Sequence, residues 1–418
     1  MSTLSPTRLL WILVLFCIFI PAVQAVAPLW TIPANPGETL STVAVAHNGS
    51  IIIAGGDQLI AISPSGQKLW AGWAGSPLDI SGDGGYIIAA QGQIVRLISG
   101  QGVLLWQQSL GDTVTALSIS PDAGIIVAGG GTYVQSWYNS GSGLGKNTTE
   151  TVQDIKISPV KDQIIVCTVQ ALRSFNLSYV PNWYDNSINP AAVAISGDGT
   201  GIVIPNGNHI RMYHGSGTLL WDRVFPGGNI ISLAYSGDGS TIVAGRDDST
   251  VIAVDRDGNL LWTGKAGYWV TSVGISDDGS TIATGSIDNQ IHIYNRQGTL
   301  LGEATTENPV KSRSVAVSGD GSLVVAVDSS NVYGFSRDQF TVPANQSAAT
   351  QVSAEGGENT TVQPVLENTT FVATLTTGSV PAFSGNESGP ATTPAPEPGF
   401  SWIPVLAALA ILVLAKKR

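Results

Sequence analysis

Apolar and polar residues alternate along this chain in short runs, and the runs recur. Val251, Ala253 and Asp255 alternate with Ile252 and Val254, and Ile291, Ile293 and Asn295 with His292 and Tyr294. A two-residue period predicts strands. Between the runs lie clusters such as Ser-Gly-Asp-Gly and Asp255-Arg256-Asp257-Gly258-Asn259, whose residues accept positive φ and hydrogen-bond locally, so they are tight turns. No part of this region sustains a helical period.

One unit reads strand, Ser-Gly-Asp-Gly or a near relative, apolar strand, polar turn, strand, and Gly-x-Leu-Leu-Trp, with a period of roughly forty residues. Three copies are plain. The first runs from Ser196 and Asp198 through Ile202-Val203 to Gly217-Thr218-Leu219-Leu220-Trp221, the second from Ser236 and Asp238 to Leu260-Leu261-Trp262. The third runs from Ser276 and Asp278 to Leu300-Leu301, where Gly302 replaces the tryptophan. Across the chain the anchors number eight: Ala46, Ser81, Ser120, Ser158, Ser196, Ser236, Ser276 and Ser318. Trp30, Trp70, Trp106, Trp183, Trp221 and Trp262 follow the same step, with a vacant slot near Leu144.

The two series are offset. Leu29-Trp30 precedes the first anchor, while Ser318 is followed by Val332-Tyr333-Gly334-Phe335 and no Leu-Trp strand. Short strands that cannot bury both faces alone do so when stacked radially. The expectation is an all-β, eight-bladed propeller, with seven blades as the alternative, closed by the N-terminal strand completing the last blade.

These repeats resemble two propeller families. The Ser-x-Asp-Gly turn followed by Thr241-Ile242-Val243-Ala244-Gly245 and Asp248 resembles a WD40-type blade. Val254-Asp255-Arg256-Asp257-Gly258-Asn259-Leu260-Leu261-Trp262 is similar to the tryptophan-docking repeat of quinoprotein dehydrogenases and BamB-like propellers. The resemblance spans about residues 28–340, although the Gly-His and Trp-Asp dipeptides of WD40 blades are missing. Ser120-Pro121-Asp122-Ala123 and Ser158-Pro159-Val160-Lys161 also lack the turn glycine.

The ends point to a compartment. Arg8, an apolar run from Leu9 to Ile20, Pro21 and the small-residue site Val23-Gln24-Ala25 have the layout of a secretory signal peptide, residues 1–25, cleaved near Ala25. Cys17 lies within it. The mature chain then keeps only Cys167, which cannot form an internal disulfide and reads as a small buried apolar residue. At the other end, Pro398-Gly399-Phe400, an apolar run from Ile403 to Ala415 and Lys416-Lys417-Arg418 resemble the PGF-CTERM sorting signal of archaeal surface proteins, residues 398–418. That resemblance implies an archaeosortase-type enzyme that removes the segment and replaces it with a lipid anchor. Ser401-Trp402 and Pro404 depart from the small-residue start usual there. Read without the family, the run is a short membrane segment with its basic end inside.

Between propeller (residues 26–340) and anchor lies a stretch, residues 341–397, rich in Thr, Ser, Asn, Gly, Pro and Ala and without Lys or Arg. Its composition predicts a disordered stalk, semi-extended where Pro394, Pro396 and Pro398 recur, with a strand left open in the more apolar 361–375. Asn345, Asn359, Asn368 and Asn386 are glycosylation candidates there, as are Asn48, Asn147 and Asn176 in the propeller.

The net charge of −11 excludes nucleic acid as a partner, since recognition of its backbone needs concentrated Lys and Arg. The search for catalytic or metal chemistry finds little. His47, His209, His214 and His292 show no metal spacing, and His209 and His214, five apart on one strand, point to opposite faces. Asp255-Arg256-Asp257-Gly258-Asn259 starts like a calcium loop but lacks its closing acid, so it reads as turn chemistry. No catalytic, metal or cofactor residue is expected.

Trp30, Trp70, Trp106, Trp221 and Trp262, one per unit, fit blade docking. Trp73, Trp137, Trp183, Tyr184, Tyr268 and Trp269 stand partly outside that register or beside irregular loops and are the binding-surface candidates. The leading expectation is therefore a non-catalytic cell-surface propeller, anchored at its C-terminus, that presents a face to a protein or glycan ligand. The alternatives are a quinoprotein-like oxidoreductase dependent on pyrroloquinoline quinone, and a BamB-like assembly scaffold.

Overall fold

The alternating runs pair into eight antiparallel sheets of four strands each in the computed structural model, which describes residues 25–160 and 163–340. The expected signal peptide before Ala25, the expected stalk with Asn345, Asn359, Asn368 and Asn386, and the expected sorting signal with Pro398, Gly399 and Phe400 lie outside the described residues. Blade 1 consists of Leu40–Val45, Ile52–Gly56, Leu59–Ile62 and Lys68–Gly72, in order from the central channel outward. Blades 2 to 7 repeat that order over residues 78–109, 116–148, 152–185, 194–224, 230–265 and 270–305.

Blade 8 takes three strands from residues 315–336 and its outermost strand, Trp30–Pro33, from the other end of the propeller. Trp30, Thr31, Ile32 and Pro33 pair with Gly334, Tyr333, Val332 and Asn331. The protein is an eight-bladed ring, closed by its first strand as the offset between the two series predicts. Among the described residues the one helical element is the 3-10 turn Arg337–Phe340.

The middle strands are buried on both faces, because each blade is sandwiched between two others. Ile125–Gly130 and Thr241–Arg246 are buried throughout. Each blade interface has its own apolar cluster; that between blades 2 and 3, for example, joins Ile88, Val95 and Leu97 to Leu117, Ile126 and Trp137.

The recurring Ser-x-Asp turn explains itself in hydrogen bonds. In blade 6, Ser236 Oγ donates to Asp238 Oδ1 at 2.6 Å and accepts from Thr241 N, while Asp238 Oδ1 also accepts from Ser240 N. The same triangle forms at Ser81, Ser120, Ser196, Ser276 and Ser318. It satisfies backbone groups that the reversal takes out of the ladder. Ala123 occupies the turn-glycine place at φ 59. Adjacent turns are also tied around the lower mouth of the channel. Gly197 N donates to Gly237 O, Asp238 N to Asp277 O, Asp277 N to Gly319 O, Gly319 N to His47 O, Asn48 N to Gly82 O and Gly82 N to Pro121 O. Each donor reaches the next blade, and the arc stops where Pro121 and Pro159, which have no N–H, take the donor position.

The outer tryptophans join blades. Trp30 Nε1 donates to Pro64 O, Trp70 to Gly100 O, Trp106 to Asn139 O, Trp221 to Arg256 O and Trp262 to Arg296 O, each carbonyl lying in a turn of the next blade. Trp183 does the same with Gly215 O at 2.9 Å. The expectation that Trp183 belongs to a binding surface is thereby corrected: its indole edge is used up in docking. Trp137 is corrected too, since it is 1% exposed and packs, tilted at 42° with ring centroids 5.9 Å apart, against Trp106 inside the interface.

Each docking indole lies on a turn glycine of the next blade, Gly66, Gly102, Gly141, Gly217, Gly258 or Gly298, all at positive φ. The two units without tryptophan exchange these roles. Where the outer strand of blade 3 has Gly145, the turn of blade 4 carries Tyr179, at φ 60, whose ring fills the slot. Where blade 7 has Gly302, Phe340 and Val26 fill it. Bulk is kept constant across each interface, as close packing requires.

Candidate functional site

Because every blade runs outward from the channel, the connections from outer to inner strand gather on one face of the ring, here the upper one. Two of these connections are long, residues 186–193 and 306–314, and lie on nearly opposite sides of the ring. They meet on one carboxylate. Arg313 Nη2 reaches across the channel to Asp154 Oδ1 at 2.9 Å, and Val193 N donates to Asp154 Oδ2 at 3.0 Å. The backbone of Arg313 stays on its own side, accepting from Val43 N at 3.0 Å. The guanidinium and Asp154 thus form a bar over an upper chamber of about 420 Å³. Cys167 backs this site; it is fully buried, and desolvation pushes its thiol well up, so it stays protonated.

The lower chamber, about 860 Å³, is walled by the residues that precede seven of the eight anchors, Val45, Ile80, Ile119, Ile195, Tyr235, Ile275 and Val317. His47 Nε2 lies 2.9 Å from Asp277 Oδ2 on its rim. Burial, with the neighbouring carboxylates Asp278, Asp238 and Asp320, pushes Asp277 up despite the opposing pull of His47. The other histidines do not converge. His209 Nδ1 is 2.8 Å from Asp222, His214 Nδ1 is 2.8 Å from Ser216, and His292 is buried beside Glu303. Asp255 Oδ1 accepts from Asp257 N and Asn259 N, which makes that loop a turn.

The upper face carries a third feature, a cleft of about 570 Å³ between blades 4 and 5 lined by Glu150, Gln170, Arg173, Asn186, Ser187, Ile188, Asn189 and Asn206. Arg173 forks onto Glu150, with Nε 2.8 Å from Oε2 and Nη2 on Oε1. These hydrogen bonds pull Glu150 down to about 2. A folded value below the unfolded one stabilises the fold fully above about pH 4.5 and loses that contribution as pH falls toward 2. Glu150→Gln should therefore shrink the drop in unfolding midpoint between pH 6 and pH 3; an unchanged drop would mean the pair contributes nothing.

The remaining surface candidates are placed as follows. Tyr268 and Trp269 are 51% and 45% exposed and stack at 5.7 Å in the connection between blades 6 and 7. Trp73 is 40% exposed, at φ 46, with Nε1 3.3 Å from Gly102 O. Tyr184 is 63% exposed, its ring 5.9 Å from the Arg173 guanidinium. Asn48 is exposed, and Asn147 and Asn176 are half-buried. Arg313, Asp154, Glu150 and Arg173 were not flagged by sequence reasoning. Arg313 and Asp154 are 159 residues apart, and only the lengths of the two long connections hint that something there departs from the repeat.

Residues 222–255 and 258–295 match the WD domain, G-beta repeat. Each matched stretch starts within or just before the outer strand of one blade and ends on the third strand of the next, so the WD40 repeat straddles two blades as the ring closure does. Among solved structures, the C-terminal WD40 domain of Sif2 superposes with a TM-score of 0.63 at 14% identity, over 74% of this chain and 99% of that one. Sqt1 from Chaetomium thermophilum, bound to the N-terminus of the ribosomal protein L10, gives 0.60 at 14% identity over 72% and 97%. Free Sqt1 gives 0.60 at 14% over 72% and 95%. No curated protein sequence matches. The two matched stretches are WD40 repeats, and the likeness to the solved structures shows a β-propeller fold.

Proposed function

We propose that this WD40-repeat propeller is a non-catalytic binding scaffold at the cell surface, anchored through its C-terminal segment with the ring outside. The observation that carries the binding reading is the stacked, half-exposed Tyr268–Trp269 pair on the upper face. Neither ring belongs to the apolar cluster between blades 6 and 7, yet Val270, the next residue, is fully buried and fixes the loop. Rigid exposed aromatics of this kind anchor interfaces at small entropic cost. Sqt1, a propeller of the same fold, is bound to a protein segment in its structure.

Surface display is supported by the signal-peptide layout before Ala25 and by Pro398-Gly399-Phe400 followed by an apolar run and Lys416-Lys417-Arg418. Asn48, exposed on a lower turn, is open to glycosylation in that setting. In binding to isolated cell envelopes of the producing organism, Tyr268→Ala/Trp269→Ala should weaken saturable binding about tenfold or more while leaving the unfolding midpoint within about 2 °C. Undiminished binding would remove the upper-face aromatics from the function. Mass spectrometry of the membrane-extracted protein tests the anchor separately, because an intact C-terminus at Arg418 would reject the sorting step.

A further inference from the structure

We infer that the cleft between blades 4 and 5 is a binding site for a neutral oligosaccharide, with Tyr184 as its stacking platform; this rests on the binding reading above and gives it a ligand class. The cleft volume, about 570 Å³, falls within the range of small-ligand sites. Its chemistry is what narrows the ligand.

The charges in the cleft cancel. Arg173 is matched by Glu150 through two hydrogen bonds, and Glu150 stays ionised at any physiological pH. A phosphate, sulfate or carboxylate ligand would meet Glu150 as well as Arg173, and a cationic one would meet the reverse, so neither sign is favoured. An apolar ligand fares no better, because the one aliphatic lining residue, Ile188, is 5% exposed. The rest of the wall is amide and hydroxyl, with Gln170 and Asn186 exposed and Asn206 half-buried. Each amide offers a donor and an acceptor side by side, the complement of vicinal sugar hydroxyls, which both donate and accept.

The second requirement of a sugar is an aromatic face, since the ring presents polarised C–H groups to the negative face of a π-system. Tyr184 is the cross-strand partner of Arg173 on the neighbouring outer strand. At 63% exposure it is the most solvent-exposed aromatic side chain of the ring, and the guanidinium 5.9 Å from its centroid steadies its orientation. The cleft also sits where the repeat is least regular. The connection 186–193 is long, and the inner strand that follows, Ala194–Ile195, is cut to two residues. Only Ile188 and Val193 of this connection pack in the apolar cluster between the two blades, and local departure from an otherwise repeating scaffold is where a grafted site is expected.

The test uses the full-length protein on an array of neutral oligosaccharides, followed by titration calorimetry with the strongest binder. Binding should weaken at least tenfold in Tyr184→Ala, survive in Tyr184→Phe, and be unaffected by Tyr268→Ala/Trp269→Ala. An array with no neutral binder, binding equally tight in Tyr184→Ala, a preference for sulfated or uronate sugars, or a peptide occupying the cleft would each overturn the inference. Envelope binding that depends on Tyr268 and Trp269 while the array stays empty would sink this site alone and leave the scaffold reading standing.

Discussion

Deleting residues 26–33 should lower the unfolding midpoint by about 10 °C or more, the largest effect expected of any short change in this propeller. The deletion removes the whole outer strand of blade 8 and leaves Asn331–Ser336 as an unpaired edge. Trp30 and Ile32 leave the cluster they share with Leu40, Val325 and Val332, and Pro64 O loses the indole N–H that ties blade 8 to blade 1. Val26 goes with them, opening the slot beside Gly302 and Phe340. The cost, roughly 5 kcal/mol or more, comes from the backbone ladder and two interfaces together. An open edge of this kind invites association with other chains, so light scattering should rise as well. A synthetic peptide of residues 26–36 should restore the midpoint in a saturable way by adding itself as a strand. A truncated protein that melts with the intact one would show that the ring does not depend on its closing strand.

Gly298→Ala should cost about 3 kcal/mol, from two separable causes. Gly298 has φ +80, a conformation that charges an L-residue about 1–2 kcal/mol, and a Cβ there would run into the Trp262 indole, adding about 1–3 kcal/mol of overpacking. Gly92 is the control. It has φ +58, and a methyl added there would meet nothing within 4 Å, so Gly92→Ala should show the backbone part alone. The difference between the two variants in denaturant unfolding measures the docking contact. Trp262→Ala combined with Gly298→Ala should cost less than the sum of the two single losses, a non-additivity expected only of residues in contact. Equal costs at Gly298 and Gly92 would mean that Trp262 does not bear on that turn.

The upper and lower faces divide the work of the ring. Below, the Ser-x-Asp turns and the arc of inter-blade N–H to carbonyl bonds hold the mouth of the channel from blade 5 around to blade 3. Above, the outer-to-inner connections vary in length and carry Trp73, Tyr268, Trp269 and Arg313, with the blade 4–5 cleft beside one of them. Repetition makes the scaffold, and departures from it make the surface.

Much of this was legible in the residues. Two-residue alternation, the Ser-x-Asp turns and the Leu-Leu-Trp step specify strands, reversals and a count of eight, and the offset of Trp30 against Ser318 specifies closure, because each is a local or strictly periodic property. The side chains that meet across blades were not legible. Trp137 lies off the tryptophan step and Trp183, though on it, borders an irregular loop, yet one is sealed in an interface and the other docks like its counterparts. Tyr179 and Phe340 stand in for missing tryptophans from the opposite side of their interfaces, and Arg313 finds Asp154 across the channel. Periodicity determines which face a residue takes within its own sheet; what it touches depends on the curvature that brings blade to blade and loop to loop, and that exists only once the ring is closed.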